Sequence, residues 1–105
     1  MDLLKAQKRF IPMSETMFYI LLSLREERHG YGIMLHVKEL TKGRIVLGAG
    51  TIYQSISKLQ EDDLISAGDE IDRKKMYRIT GLGNEILKIE AARIAELYKN
   101  SEGLR

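Results

Sequence analysis

The sequence has no cysteine and no tryptophan, and its only proline is Pro12. Without cysteine the chain has no disulfide, no thiolate ligand for a metal and no cysteine nucleophile. Its longest apolar run, residues 17–22, is far shorter than the roughly 18 residues that a membrane-spanning helix needs. The first residues also lack the apolar stretch of a secretory signal. We therefore expect a cytoplasmic protein without a membrane segment.

Neither sign of charge dominates, since 17 Lys and Arg residues face 15 Asp and Glu residues for a net charge of +2. No block of the chain is strongly basic, and the one tight cationic cluster is Arg73–Lys75, with Arg78 just beyond it. With 105 residues, 44% of them hydrophobic, the chain is expected to form one globular unit. A core this small, without disulfides, favours a core shared between two copies.

Glycines and caps divide the first half of the chain into four predicted helices. A short helical arm covers residues 3–11 and ends before Pro12. Ser14 is the expected N-cap of a helix that runs to about Glu27. A further helix starts near Tyr31 and stops at Thr41-Lys42-Gly43.

Gly48-Ala49-Gly50 opens the fourth helix, with Thr51 as a possible cap and Ile52, Ile56 and Leu59 as its apolar face. The helix closes on Glu61-Asp62-Asp63, which is the wrong sign of charge for the C-terminal end of a helix. The sequence alone gives no reason for this acidic end.

A two-stranded hairpin follows, with residues 64–68 and 76–79 as its arms and the charged segment 69–75 as its loop. Thr80 is the expected N-cap of a last helix over residues 81–99, although its glycines are poor helix formers. The chain is therefore predicted to be mainly α with a small β-hairpin. After the arm, three helices followed by a hairpin, with two of the helices joined by a short glycine-containing segment, are typical of a winged helix-turn-helix.

Four motifs in order carry a resemblance to a known family: His29–Ile33, Gly50–Tyr53, Leu59–Ile65 and Arg73–Thr80. In these motifs the sequence resembles the PadR family of bacterial transcriptional regulators over about residues 14–90. It is similar to the short type, which has a single C-terminal helix. Asp63 departs from the family, in which a glycine is common before the wing.

The resemblance implies a homodimer that binds an inverted-repeat operator in double-stranded DNA, usually as a repressor that an effector releases. Residues 1–80 would form the arm and the DNA-binding winged helix-turn-helix. Residues 81–105 would form a long dimerisation helix and a tail. The alternative is a winged-helix module that binds another protein and has no specific DNA activity.

The residues expected to contact DNA lie on the predicted recognition helix, at the start of the helix before it and in the wing. Gln54 suits an adenine edge and Lys58 suits a phosphate. Helical spacing places Tyr53 in the core, with its hydroxyl within reach of a phosphate. Two of the three cations at the wing tip are expected to meet phosphate or the minor groove. The full set is Tyr31, Ala49, Gly50, Thr51, Tyr53, Gln54, Ser55, Lys58, Arg73, Lys74 and Lys75.

The last helix has two neighbouring apolar lines, so one line can serve the chain's own core and the other a partner. The resemblance implies that the N-terminal segment shares this interface. It also implies that a pocket for a small hydrophobic effector can open there, although a filled interface is slightly favoured. The residues expected at this interface or pocket are Phe10, Met13, Met17, Leu87, Ala91, Ile94, Leu97 and Tyr98.

No pattern in the chain indicates a metal site, a cofactor site or an enzyme. His29 and His36 are seven residues apart, which is not the spacing that places two ligands on one helix face. His29 is expected to fix a turn between helices, and His36 to be a polar surface residue. No Ser/His/Asp arrangement or carboxylate pair has a plausible pocket.

Overall fold

The computed structural model describes residues 1–105 and contains five helices and one hairpin. The elements in chain order are α1 (Leu3–Phe10), α2 (Glu15–Ser23), α3 (Gly30–Leu40), α4 (Ala49–Glu61), β1 (Ile65–Ile71), β2 (Lys74–Ile79) and α5 (Gly81–Asn100). The Ile11–Pro12 peptide bond is cis. The order of elements confirms the predicted mainly α fold with a small hairpin. No helix has the length and apolarity to span a membrane.

Four helices begin at side-chain caps that satisfy a free backbone N–H in the first turn. At the start of α1, Oδ1 of Asp2 accepts from Lys5 N at 2.8 Å. The Ser14 hydroxyl accepts from Met17 N at 3.1 Å, and the Thr80 hydroxyl accepts from Gly83 N at 3.0 Å, as predicted. Nδ1 of His29 accepts from Gly32 N at 3.0 Å. His29 thus fixes the turn before α3 by capping that helix.

Helix α4 differs from the prediction at its start. Its N-cap is Gly48, whose lack of a side chain leaves the first turn without a side-chain acceptor. Thr51 lies inside the helix and is exposed, so the prediction that it caps α4 is wrong. Ile52, Ile56 and Leu59 are buried on the inner face of α4, as the helical spacing predicted.

Helix α2 ends at Ser23, and the prediction that it continues to about Glu27 is wrong. The segment that follows leaves the helix to pair with β2. Ile79 N donates to Leu24 O at 2.7 Å, and Arg28 and Tyr77 exchange backbone hydrogen bonds of 2.9 and 3.0 Å. The wing is therefore attached along its β2 side to the turn between α2 and α3.

The wing is an antiparallel pair whose turn is only Asp72-Arg73. Both residues have positive φ, of 51° and 65°, which is the conformation that two-residue hairpins favour. The predicted loop of residues 69–75 is too long, because both strands extend into it. A bulge between Ala67 and Glu70 shifts the register partway along β1.

The hydrophobic core lies between α2, α3, α4 and the base of the wing, and the first half of α5 closes it. Helix α5 covers the span predicted from its apolar pattern. Its residues up to Glu90 alternate between buried and exposed, whereas from Ala91 to Asn100 all except Arg93 are exposed. The second half of α5 therefore does not pack against the hydrophobic core of the chain.

Candidate nucleic-acid interface

A cleft of about 360 Å³ opens where the first turn of α3, the exposed face of α4 and the wing meet. Three cationic side chains and three tyrosines line it. The lining residues are His29, Gly30, Tyr31, Tyr53, Arg73, Lys74, Lys75 and Tyr77. Cations, hydroxyl donors and a helix N-terminus around one concave surface are the groups that contact nucleic-acid phosphates.

Tyr53 lies in this cleft and is 52% exposed, so the prediction that it belongs to the core is wrong. Its ring packs over Gly30, where an added Cβ would lie 2.7 Å from the Tyr53 hydroxyl oxygen. The glycine therefore leaves space for the Tyr53 ring at the start of α3. The helical spacing of α4 alone could not reveal this space, because it is left by a glycine of α3.

Tyr31 projects from the first turn of α3 and is 57% exposed. Its ring stacks on His29, with centroids 6.5 Å apart and planes 7° from parallel. Because His29 is held by its cap to Gly32, the stack limits the freedom of Tyr31. Deeper in the cleft, burial raises the pKa of Tyr77, and the neighbouring Tyr53 adds to this shift.

The outer face of α4 is exposed at most of the predicted contact residues. Ser55 is half-buried, and Lys58 extends toward α1, where its ammonium lies 5.4 Å from the centre of the Phe10 ring. Added Cβ atoms at Gly48 and Gly50 would meet nothing within 4 Å, so the start of α4 is open to a large ligand. The exposed residues of this face are Ala49, Gly50, Thr51, Tyr53, Gln54 and Lys58.

The cations of the wing lie at its tip, as predicted, but only one of them is in the turn itself. Arg73 is in the turn, whereas Lys74 and Lys75 are on β2 and therefore point to opposite faces of the hairpin. Lys75 is paired across the strands with Glu70, and Lys74 with Ile71. Tyr77 is on the same face as Lys75 and anchors that face to the core.

The predicted interface residues divide into a buried and an exposed group. Phe10 and Leu87 are 4% and 5% exposed within the chain's own core, so their assignment to a partner surface is corrected. Met13 and Met17 are half-buried. The exposed group is Ala91, Ile94, Leu97 and Tyr98, all on the second half of α5.

A second cleft, of about 340 Å³, lies between the start of α2 and the middle of α5. Of the residues predicted for an effector pocket, it contains Met13 and Ile94. Ala91 lines a smaller groove of about 190 Å³ nearby. The residues around the larger cleft are Met13, Ser14, Glu15, Phe18, Tyr19, Arg93 and Ile94.

Glu90 is a fully buried carboxylate beside this cleft that the sequence analysis did not single out. It accepts from Arg93 Nε at 2.5 Å, from Arg93 Nη2 at 2.9 Å and from Met13 N at 2.5 Å. The Arg93 hydrogen bond holds the pKa of Glu90 below its ordinary value, with a smaller contribution from the Met13 N–H, although burial opposes both. The Glu-x-x-Arg spacing on a helix is the one sequence signal that points to this pair.

His36 is not the surface residue that was expected. It is half-buried, and its Nδ1 lies 2.8 Å from the hydroxyl of the buried Ser23. Burial lowers the pKa of His36, and the Arg28 charge lowers it further. The structure has no group of three or more potential metal-binding side chains.

The model of the Transcriptional regulator PadR-like family matches residues 19–89. A curated relative, the transcriptional regulator YqjI of Escherichia coli (strain K12), is 32% identical over 83 residues, which are 78% of this chain and 40% of the relative. The chain thus spans less than half of that protein.

Two solved structures are similar. The PadR family transcriptional regulator of Eggerthella lenta DSM 2243 has a TM-score of 0.70 at 24% identity, over 96% of this chain and 86% of that one. Bacillus subtilis PadR in complex with operator DNA has a TM-score of 0.61 at 30% identity, over 69% and 44% of the two chains.

These likenesses and the observed order of helices and hairpin define a winged helix-turn-helix protein. The chain belongs to the PadR-like family of transcriptional regulators. Because the family is one of regulators, the prediction that the chain is not an enzyme is confirmed.

Proposed function

We propose that the protein is a DNA-binding transcriptional regulator in which α4 enters the major groove and the wing contacts the flanking backbone. The observation that carries this proposal is the cleft that unites Tyr31 and Tyr53 with the cations of the wing. A phosphate in this cleft would meet the exposed Tyr31 and Tyr53 and the side chain of Lys75, and Lys74 on the opposite face of the hairpin would meet a neighbouring phosphate. The proposal implies a protein located with the DNA, in the cytoplasm.

Sequence preference would come from the exposed face of α4. Gln54 can donate to and accept from an adenine edge, and Thr51 can contact a base or a thymine methyl. Lys58 has an exposed side chain but a cation–π partner in Phe10, so it suits a phosphate at the edge of the groove. Operators of related winged-helix dimers are read by two such helices, about 34 Å apart.

We expect Lys74→Ala/Lys75→Ala to weaken DNA binding without unfolding the protein, because both side chains are exposed. If each lysine meets one phosphate in both halves of a dimer, the slope of log K against log salt falls in magnitude by about four. Fluorescence anisotropy over a range of salt concentrations measures this slope. Lys5→Ala/Lys8→Ala removes the same charge from α1 and should leave the slope unchanged. Equal slopes for the two double variants would count against the wing as a DNA contact.

A homodimer is proposed from the second half of α5, where Ile94, Leu97 and Tyr98 are 38%, 53% and 63% exposed. These apolar side chains lie on one side of a helix that extends beyond the core. Their burial against a second copy would remove apolar area from water. Two-fold pairing would also present two copies of α4 to an inverted repeat.

We expect Ile94→Glu/Leu97→Glu to convert the dimer to a monomer of 12.0 kDa. Charged side chains at these positions would have to be desolvated in the interface. Light scattering measures the mass in solution. Val46→Glu places a charge on a side chain that is 67% exposed on a different part of the surface, and it should leave the mass unchanged. A dimeric Ile94→Glu/Leu97→Glu variant would place the interface elsewhere.

The finer proposal is a repressor that a small hydrophobic effector releases from DNA. The cleft between α2 and α5 supports it, since Met13, Phe18 and Ile94 supply an adaptable apolar wall beside the proposed dimer face. The chain has no tryptophan, so indole stacking on a flat ligand is excluded. An apolar fluorescent probe should bind in this cleft and lower the affinity of the protein for DNA. If the probe binds and the affinity for DNA does not change, the cleft does not regulate DNA binding.

A further inference from the structure

The acidic end of α4 is explained by the arm. Asp62 is the C-cap of α4 and only 4% exposed, a position where the helix dipole disfavours a negative charge. The Nε of Arg9, from α1, lies 2.8 Å from Asp62 Oδ2. Oδ2 accepts no aligned hydrogen bond, so this is a contact between charges. The buried carboxylate of Asp62 is tolerated at the C-terminus of α4 because the Arg9 guanidinium compensates its charge.

The next residue of the arm makes a second contact with the same face of α4. Phe10 is buried, and the Lys58 ammonium lies 5.4 Å from the centre of its ring. Lys58 and Asp62 are four residues apart, so they lie one above the other on the helix. Arg9 and Phe10 thus hold two successive turns of α4.

Helix α1 also packs against α5. Ala6 is completely buried, and α1 contributes to the same core as the first half of α5. Helix α4 packs mainly on α2, α3 and β1, whereas α5 packs mainly on α1, α2 and β2. Through Arg9 and Phe10 the arm therefore connects the helix proposed to read DNA with the helix proposed to pair two copies.

We propose that α1 is a strut that fixes the orientation of α4 relative to α5, and that Arg9 and Asp62 are positioning residues for operator recognition. This inference rests on the proposed function. In a two-fold dimer, the orientation of α4 relative to the dimer helix sets the distance between the two recognition helices. The strut therefore determines which spacing of half-sites the protein accepts.

The test is the double variant Arg9→Met/Asp62→Leu, which replaces the ion pair by apolar groups of similar volume. Asp62 is buried and the Arg9 side chain is 49% exposed, so removing both charges leaves no unpaired carboxylate in the interior and is expected to leave stability unchanged or higher. The wild-type protein first selects its preferred site from random double-stranded DNA. Its affinity is then measured for that site, for a scrambled site, and for versions with one or two base pairs inserted or deleted at the centre.

We expect the variant to keep its melting temperature and its affinity for scrambled DNA. Its preference for the selected site should fall at least tenfold, and the penalty for altered spacing should shrink. Lys8→Met removes a neighbouring charge of α1 that has no contact with α4, and it should behave as wild type. If the double variant does not fold, Arg9→Lys replaces it, and a loss of about threefold in the same preference is expected.

The two possible failures are distinct. If the wild-type protein selects no sequence, the proposed function is wrong. If it selects a site and the folded Arg9→Met/Asp62→Leu variant keeps the same preference and the same dependence on spacing, the strut is wrong. An equal loss of affinity for selected and scrambled DNA would also contradict the strut, because the pair would then contribute only to general binding.

Discussion

Gly83→Ala is expected to lower the free energy of unfolding by about 3 kcal/mol, since overpacking typically costs 1–3 kcal/mol and backbone cannot move aside as a side chain can. A Cβ built at Gly83 would lie 2.0 Å from Leu64 O and 2.8 Å from Ile79 Cγ1. The same carbonyl accepts the backbone hydrogen bond of Thr80, at 3.0 Å. One methyl group would thus separate α5 from the base of the wing and strain the cap of the helix.

Gly81→Ala is the matched control, two residues earlier in the same helix. A Cβ at Gly81 would meet nothing within 4 Å. Alanine is a better helix former than glycine by up to about 1 kcal/mol, so this variant should be slightly more stable than wild type. Urea denaturation followed by circular dichroism measures both changes. A shift of the same sign in the two variants would contradict the close approach at Gly83.

The second large effect is expected for Glu90→Ala, which should lower the free energy of unfolding by about 3 kcal/mol, because an unsatisfied buried donor typically costs about 1–3 kcal/mol and the lost side chain adds a cavity. The change removes the acceptor of Met13 N and leaves Arg93 without its partner. It also leaves a cavity at a position that is completely buried. Glu85→Ala, at an exposed glutamate of the same helix, should change stability by less than about 0.5 kcal/mol. Chemical denaturation of both variants at pH 7 makes the comparison.

The depressed pKa of Glu90 predicts the pH range of its effect. A carboxyl whose pKa is lower in the folded state stabilises the fold above its unfolded pKa of about 4.3, and that stabilisation disappears as the pH falls through the folded value. The stability difference between wild type and Glu90→Gln should therefore be largest near neutral pH and shrink below about pH 4. A difference that stays constant down to pH 2 would show that the charge of Glu90 has no part in it.

Local signals were sufficient to predict most of the helices. The caps at Ser14 and Thr80 and the apolar spacing of α4 and α5 are properties of short stretches of sequence, and these predictions are confirmed. The early end of α2 could not be predicted in this way. Its cause is the pairing of Leu24 and Arg28 with β2, about fifty residues later, and that competition is invisible in a short window.

The sequence predicted which residues belong to the candidate site but not how those residues are arranged in space. The basic and polar residues of α4 and the wing are all present in the sequence, yet their placement depends on contacts between elements. Tyr53 reaches the cleft because Gly30 leaves room for it on another helix. The burial of Asp62 and Glu90 was also not predicted, and the acidic end of α4 stayed unexplained, since a sequence shows the carboxylate but not the arginine that the fold brings to it.

The central claim, that this chain recognises DNA, is tested most directly by anisotropy titration of the wild-type protein. The labelled DNA is the fragment upstream of the protein's own gene, with a scrambled fragment as control, at low and at near-physiological salt. We expect tighter binding to the upstream fragment or to a selected site than to the scrambled one, with affinity that falls steeply as salt rises. No binding to any DNA at low salt would contradict the account and favour a winged-helix module that binds another protein.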